Sequence, residues 1–191
     1  MIHIDKKLIS ELFDRALVNP RLRHSFDLCN PDNSGQRMLN ALMLGTSVPI
    51  HRYSNSNENA ILICGKLVEI IYDNDGNEKD RIHLNSTVGS FGCVVPTGAW
   101  HTVEILDPSV ICEAKDGKYG EDGSETLDEY RAKLTGKTTD NKSFSNSLGD
   151  LKKNIEYLIG MERQSGSMDA TLPLYVSRML NVPTRRCEQV M

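Results

Sequence analysis

Three side chains of the kind that bind divalent metals lie in two short segments of this chain. His51 and Tyr53 are two residues apart, so on a strand both point to one face of the sheet. Glu58 follows at the start of an apolar strand, and a turn at residues 96–98 leads into another strand that begins near His101. Two imidazoles and one carboxylate on separate strands can form a facial three-ligand site. The spacing therefore predicts that His51, Glu58 and His101 bind a divalent metal ion.

The complete pattern resembles the two paired motifs of the cupin superfamily. The first motif is Gly45-x5-His51-x-Tyr53-x4-Glu58-x6-Gly65, and the second is Pro96-x-Gly98-x2-His101. Five short segments, in the same order, also resemble the WbuC-type cupin-fold metalloproteins: Asn19–Arg23, Gln36–Ala41, Pro49–Arg52, Gly98–Val103 and Glu113–Tyr119. The resemblance covers about residues 1–130 and does not extend to the C-terminal tail.

This resemblance implies a small β-barrel with a metal ion in its mouth and a small-molecule ligand beside the ion. It leaves the metal open among Fe, Mn, Zn and Ni. Members of the family are associated with bacterial surface polysaccharide (O-antigen) gene clusters, and their reaction is not settled. The function implied is a metal-binding cupin acting on a sugar or small polar metabolite, with enzymatic activity left open. Tyr53 and Trp100 are the candidates for lining the ligand pocket.

One residue departs from the cupin motif, which normally carries His-x-His where this chain has His51-Arg52-Tyr53. A neutral phenol with a pKa of about 10 is a poor metal ligand. Either His51, Glu58 and His101 hold the ion alone, or Tyr53 binds as a phenolate, or metal binding is weak. Tyr53 is also the candidate catalytic acid or hydrogen-bond donor to a ligand. The alternative function is a non-catalytic or regulatory cupin with a degraded metal site.

The spacing of apolar residues in the rest of the chain predicts the helix and strands that would position this site. Leu8, Ile9, Leu12, Phe13, Ala16 and Leu17 recur at helical spacing and predict a helix over residues 5–18. Short apolar runs separated by turn residues predict strands at 36–44, 61–64, 67–72, 79–84, 88–95, 100–106 and 110–114. Gly65-Lys66 reads as a tight connection and Asp73–Gly76 as a hairpin turn. The predicted fold is a mainly β, cupin-type (double-stranded β-helix) barrel with an N-terminal helix and a C-terminal helical appendage.

Charge and composition divide the chain into three parts. We predict a barrel with its helix over residues 1–130, a polar linker over 131–147 and a helical appendage over 148–191. The first part has a net charge of -8, and residues 131–191 have a net charge of +4. A capping box at residues 147–150 predicts a helix over 151–161, followed by helices at 174–181 and 184–191. This tail is interpreted as a helical hairpin that packs on the barrel or another subunit, the alternative being a helix-turn-helix that contacts nucleic acid.

Bulk properties limit the function classes. Apolar residues make up 39% of the chain and charged residues 25%, as in soluble globular proteins. The apolar runs of the sequence are too short for a membrane span, and we expect no secretion signal. Five scattered cysteines without a CxxC pair favour a reducing cytoplasm. Motifs for nucleotide phosphates and for a serine nucleophile are absent from the sequence. We expect a cytoplasmic homodimer.

Overall fold

The computed structural model describes residues 1–30, 32–118, 120–136 and 148–165. In chain order the elements are α1 (Lys6–Val18), β1 (Arg23–Asp27), β2 (Gly35–Leu42), β3 (His51–Tyr53), β4 (Glu58–Tyr72), β5 (Glu78–Asn85), a 3-10 turn (Ser86–Val88), β6 (Gly92–Val95), β7 (Trp100–Asp116), β8 (Ser124–Thr126), α2 (Leu127–Thr135) and α3 (Leu148–Ser165). None of the helices described combines the length and apolar character needed to cross a bilayer.

The eight strands form one curled antiparallel sheet. One path through it runs β1-β2-β7-β3-β8, and β4 pairs with β5, β6 and β7. The long strand β7 has β4 along one edge, while its other edge pairs with β2 near the C-terminal end and with β3 near the N-terminal end. The same strand is therefore shared by successive parts of the sheet, which curls around it. This confirms the mainly β barrel and its N-terminal helix.

Two predicted strand breaks are bulges inside continuous strands. Residues 61–64 and 67–72 both belong to β4, and β7 continues through Asp107 and Pro108. The pairing of β4 with β7 shifts register around Gly65, which has a φ of 92°. A Cβ at Gly65 would lie 2.3 Å from the carbonyl oxygen of Pro108. Glycine at this position therefore permits close backbone approach at a bulge, where the two strands bend together, rather than a turn.

Alternate residues of β2 pack into two separate hydrophobic cores on the two faces of the sheet. Leu39 and Ala41 lie in a cluster with the buried face of α1, which includes Leu12 and Phe13. Leu42 lies in the second cluster, inside the barrel, with residues of β4, β5 and β7. The side chain of Asp5 accepts a hydrogen bond from the backbone of Leu8 at 3.0 Å and caps α1. The N-terminal helix therefore packs on the outside of the barrel and closes one core.

The described part of the tail packs on the same barrel. The ring of Tyr157 on α3 meets the ring of Phe13 edge-on at 5.7 Å, and Leu158 joins the cluster formed with α1. Helix α2 ends at Thr135, and Gly136 caps it. The predicted cap at Ser147, linker residues 137–147 and the helices at 174–181 and 184–191, with their nucleic-acid alternative, lie outside the described residues.

Asn154 fastens α3 to the loop that follows β2. Its side-chain oxygen accepts from the backbone N–H of Leu44 at 2.9 Å, and its amide donates to the carbonyl of Leu44 at 3.1 Å. Both residues are buried, so Asn154→Ala leaves two backbone groups unpaired. We expect a loss of about 2–4 kcal/mol in the free energy of unfolding, measured by urea denaturation. The exposed neighbour Lys153→Ala is the control, and equal stability of the two variants would contradict this role of Asn154.

Candidate metal centre

Strand pairing places the two histidines side by side. His51 on β3 lies directly opposite His101 on β7, and opposite residues of an antiparallel pair point to the same face. Their ring centroids are 4.2 Å apart. Glu58 begins β4, the strand on the other edge of β7. One potential ligand atom from each of the three residues lies within 4.8 Å of the other two. The structure thus brings together the three residues that the sequence predicts as metal ligands.

Both imidazoles are oriented by a backbone carbonyl two residues upstream. Nδ1 of His51 lies 3.0 Å from the carbonyl oxygen of Pro49, and Nδ1 of His101 lies 3.0 Å from that of Ala99. A carbonyl only accepts hydrogen bonds, so each Nδ1 carries a proton, and in the neutral ring each Nε2 keeps a lone pair. Fixing the tautomer in this way is the usual arrangement around metal-binding histidines.

The polar atoms at the centre of the site are buried and without hydrogen-bond partners. Glu58 is 5% exposed and His101 is 2% exposed. Oε2 of Glu58 lies 3.8 Å from Nε2 of His101, too far for a hydrogen bond, and neither atom has another partner among the described residues. Buried polar atoms left unpaired cost about 1–3 kcal/mol each. A cation between them would satisfy both, so the residues present fit a divalent metal ion.

In the metal-free site the electrostatics favour the protonation states that a metal requires at His51 and Glu58, but not at His101. Burial, reinforced by the neighbouring His101, lowers the pKa of His51 to about 4, so His51 is neutral near pH 7. Burial alone would raise the pKa of Glu58, but the facing His101 and the ammonium of Lys115 outweigh it, and the pKa is lowered. For His101, burial acts to lower the pKa, and the facing carboxylate of Glu58 reverses this and raises it, so a metal ion competes with a proton at this ring. The site therefore offers an ionised carboxylate beside a neutral imidazole.

Tyr53 lies at the edge of this site under a buried lysine. The centroid of its ring is 5.3 Å from that of His51 and 5.9 Å from that of His101. The ammonium of Lys115 sits 3.6 Å from the centroid of the Tyr53 ring, a cation–π contact. The ring is thus held by packing on several sides, and Tyr53 lines the cavity described below.

Lys115 belongs to a buried polar network that the sequence analysis did not identify. Its ammonium lies 3.5 Å from a carboxylate oxygen of Asp122, and the amide of Gln36 donates to the same oxygen at 3.0 Å. Lys115 and Asp122 are 8% and 1% exposed. Gln36 and Lys115 both lie in segments that resemble the WbuC-type proteins, and this resemblance is the sequence signal that could have identified them.

Trp100, predicted to line the ligand pocket, is not among the residues that line the cavity. It precedes His101 on β7, so its side chain points to the opposite face of the sheet. There its ring contacts the guanidinium of Arg52 at 4.2 Å and the ring of Tyr130 at 5.5 Å, and its Nε1 donates to Asn74 at 3.0 Å. Trp100 therefore packs α2 onto the outer face of the sheet.

A cavity of about 390 Å³ opens above the three candidate ligands. Its walls come from alternate residues of several strands and from the segment leading into α2. Besides the three ligands, the polar residues that line it are Arg21, Arg23, Ser25, Gln36, Asn40, Tyr53, Glu113, Lys115, Asp122, Ser124, Glu125, Thr126 and Glu129. Burial raises the pKa of Glu113 to about 7. A cavity of this size and polarity accommodates a small hydrophilic molecule next to the ion.

Comparisons with known proteins give a partial family match and distant structural likenesses. A domain of unknown function, DUF6016, matches residues 4–84. No curated protein matches the chain. CapF, a capsular polysaccharide assembling protein from Staphylococcus aureus, is similar at 17% identity and a TM-score of 0.47, over 54% of this chain and 29% of that one. The chain spans about a third of the CapF structures that it matches.

Two further solved structures are also similar. A cupin superfamily protein from Desulfitobacterium hafniense has 18% identity and a TM-score of 0.41, over 50% of this chain and 78% of that one. A conserved protein with a double-stranded β-helix domain from Klebsiella pneumoniae has 12% identity and a TM-score of 0.43, over 55% and 78% of the two chains.

Proposed function

We propose that this chain is a metal-dependent cupin that binds, and acts on, a sugar-like or other small polar metabolite. The observation that carries the proposal is the set of three converging ligand atoms from His51, Glu58 and His101 at the floor of the cavity. A divalent ion there would polarise an oxygen of the bound molecule or activate a water. The resemblance to WbuC-type proteins supports a role in bacterial surface polysaccharide biosynthesis.

The arrangement favours a working metal site over a degraded one, although Tyr53 replaces the second histidine of the motif. Both remaining imidazoles have their Nδ1 atoms paired with a carbonyl, and the buried carboxylate has an unpaired oxygen. A site that had lost its ion would be expected to satisfy these buried atoms internally or to replace them by apolar groups. Tyr53 is held through its ring by Lys115, which favours a lining role over metal binding. The homodimer and the cytoplasmic location remain predictions from the sequence.

Elemental analysis of protein purified without chelators tests the proposal. We expect about one divalent transition-metal ion per chain, because three ligands that converge in a buried site bind such ions tightly. Tyr53→Phe should keep the same metal content, since the phenyl ring preserves the contact with Lys115. Loss of metal in Tyr53→Phe would instead identify a phenolate ligand. A chain that neither retains nor takes up a divalent ion would overturn the proposed function.

A further inference from the structure

Two arginines face the same cavity without an acidic partner. Arg23 begins β1 and Arg21 lies in the turn before it, and both line the cavity together with the candidate ligands. Neither guanidinium has a carboxylate within ion-pair distance in the part of the chain that the structure describes. A guanidinium presents a planar set of donors that matches a carboxylate or a phosphate. Unpaired arginines in a ligand cavity therefore indicate an anionic group on the ligand.

The acidic residues of the cavity are mostly engaged with other groups. Asp122 faces Lys115 at 3.5 Å, and Glu125 accepts from Arg52 at 2.7 Å and from Lys133 at 2.8 Å. A further glutamate, Glu129, accepts from the backbone N–H of Thr126 at 2.8 Å as part of the capping box of α2. These carboxylates do not neutralise the two arginines.

The remaining charges also leave the cavity positive. A bound divalent ion brings two positive charges, and Glu58 is the one carboxylate among its candidate ligands. Glu113 can offset at most one further positive charge. The negative charge of Glu129 is balanced by the second of the two cations, Arg52 and Lys133, that pair with Glu125. With the metal present, the two guanidinium groups thus remain in excess, and the cavity should attract an anion.

The backbone between the arginines is held in an unusual conformation. Leu22 has a φ of 52°, the one positive φ outside glycine in the described residues. Its side chain is buried in the cluster under α1, and its carbonyl accepts hydrogen bonds from Met43 N at 3.0 Å and Thr46 Oγ1 at 2.6 Å. The left-handed conformation costs a non-glycine residue about 1–3 kcal/mol. Core packing and two hydrogen bonds therefore hold the chain in the turn that places Arg21 and Arg23 on the cavity wall.

A buried amide oxygen adds a site for a hydroxyl group. Gln36 lines the cavity and is 6% exposed. Its nitrogen donates to Asp122, whereas its Oε1 is buried without a partner among the described residues. An amide oxygen only accepts hydrogen bonds, so its missing partner is a donor such as a hydroxyl. The cavity lining therefore fits a ligand that has hydroxyl donors as well as negative charge.

We propose that the ligand is a small hydroxylated anion, such as a sugar acid or a sugar phosphate, whose carboxylate or phosphate binds at Arg21 and Arg23. This rests on the proposed function, because hydroxyl or carbonyl oxygens of the same molecule would face the ion. The anionic group is thereby anchored at one wall of the cavity, and the polyhydroxyl part lies towards Gln36 and the metal centre. A neutral sugar lacks the group that the two arginines recognise.

Calorimetric titration with matched sugars tests this specificity. The probes are D-gluconate and D-glucose 6-phosphate, with D-glucose as the neutral comparison, each titrated into the metal-loaded full chain. We expect at least one anion to bind about tenfold or more tightly than glucose at low ionic strength, with the difference shrinking as salt is added. Comparing the two anions distinguishes a carboxylate from a phosphate. Equal affinity for all three, or no binding of either anion at millimolar concentration, would overturn the proposal.

Variants localise the anion site. Arg21→Gln and Arg23→Gln should each weaken binding of the preferred anion about tenfold, the loss expected for one charged hydrogen-bonding partner, and leave metal content unchanged. Arg37→Gln is the matched control, because Arg37 is exposed on β2 between two cavity-lining residues and points to the other face. Unchanged affinity in both cavity variants would place the anion elsewhere and contradict the proposal.

Chelator-treated protein separates this inference from the proposed function. If the metal assignment is wrong, the preference for the anion over glucose and the effect of the two arginine variants should still be measurable in the metal-free chain. If the anion site is wrong, metal binding persists and the preference is lost. The two failures therefore give different results.

Discussion

His101→Ala is expected to lower the affinity of the protein for a divalent ion by at least about a hundredfold. Even residues that only orient metal ligands typically contribute 10–100-fold to affinity, and loss of a ligand itself should cost more. His101 is 2% exposed, and its Nε2 faces Oε2 of Glu58 with no other described partner. Alanine removes one of three ligands and opens a path for water. Metal content after dialysis and competition with a chromogenic chelator measure the effect.

Two further variants make this test specific. Glu58→Gln keeps the shape of the side chain and removes its charge, so it should lose metal without opening a cavity in the barrel. His83→Ala removes an exposed imidazole from β5, away from the site, and should keep the affinity of the unmodified protein. Far-ultraviolet circular dichroism checks that each variant is folded. A folded His101→Ala chain that retains metal would show that His51, Glu58 and His101 do not form the binding site.

The core of the candidate site was predictable because its geometry is local. His51 and His101 are the first and second residues of their strands, and Glu58 begins the next apolar run. The spacing of each motif, with its turn residues, is enough to place the side chain at the end of a strand. The structure adds the register, in which His51 lies opposite His101.

The walls of the cavity were not predictable in the same way. Lys115 and Gln36 are distant in sequence and become neighbours because β2 and β7 pair antiparallel, with Gln36 opposite Lys115. Such a register depends on packing and on bulges such as the one at Gly65, and residue spacing does not reveal them. Similarly, apolar runs on either side of Gly65 appear in the sequence as two strands, whereas the fold joins them into one bent strand. The pairing of distant strands therefore determines the neighbours in the cavity wall and the continuity of β4, which sequence periodicity does not reveal.

The second large prediction concerns Glu69, because its carboxyl group is buried in the barrel and one of its oxygens is unpaired among the described residues. It lies on β4 between Val103 of β7 and Ile82 of β5, and it is 1% exposed. Its Oε1 has no hydrogen bond among the described residues. Burial raises the pKa of Glu69 from 4.5 to about 8, with His101 acting in the opposite direction and Glu58 adding to the rise. Glu69 is therefore neutral near pH 7 in the metal-free protein.

Stability should consequently fall as the pH rises towards 8. In the unfolded chain Glu69 loses its proton near its ordinary pKa of 4.5, whereas in the folded chain it holds the proton until about 8. The unfolded state thus binds fewer protons across this range, and each rise in pH favours unfolding. For Glu69→Gln we expect this contribution to vanish, so that the variant gains about 2–4 kcal/mol relative to the unmodified protein between about pH 5 and pH 9.

Urea denaturation in the presence of a chelator, repeated across this pH range, gives the free energy of unfolding at each pH. The effect is the difference between Glu69→Gln and the unmodified protein in the slope of this free energy against pH. A constant cost of placing an amide in the barrel would lower stability equally at every pH and would leave that slope difference unchanged. Glu11→Gln, an exposed position on α1, should follow the unmodified protein; parallel curves for Glu69→Gln and the unmodified protein would contradict the prediction. Loading the site with a divalent ion should reduce the slope difference, because a nearby positive charge stabilises the ionised carboxylate. The pH dependence of folding and the occupancy of the metal centre should therefore be coupled through Glu69.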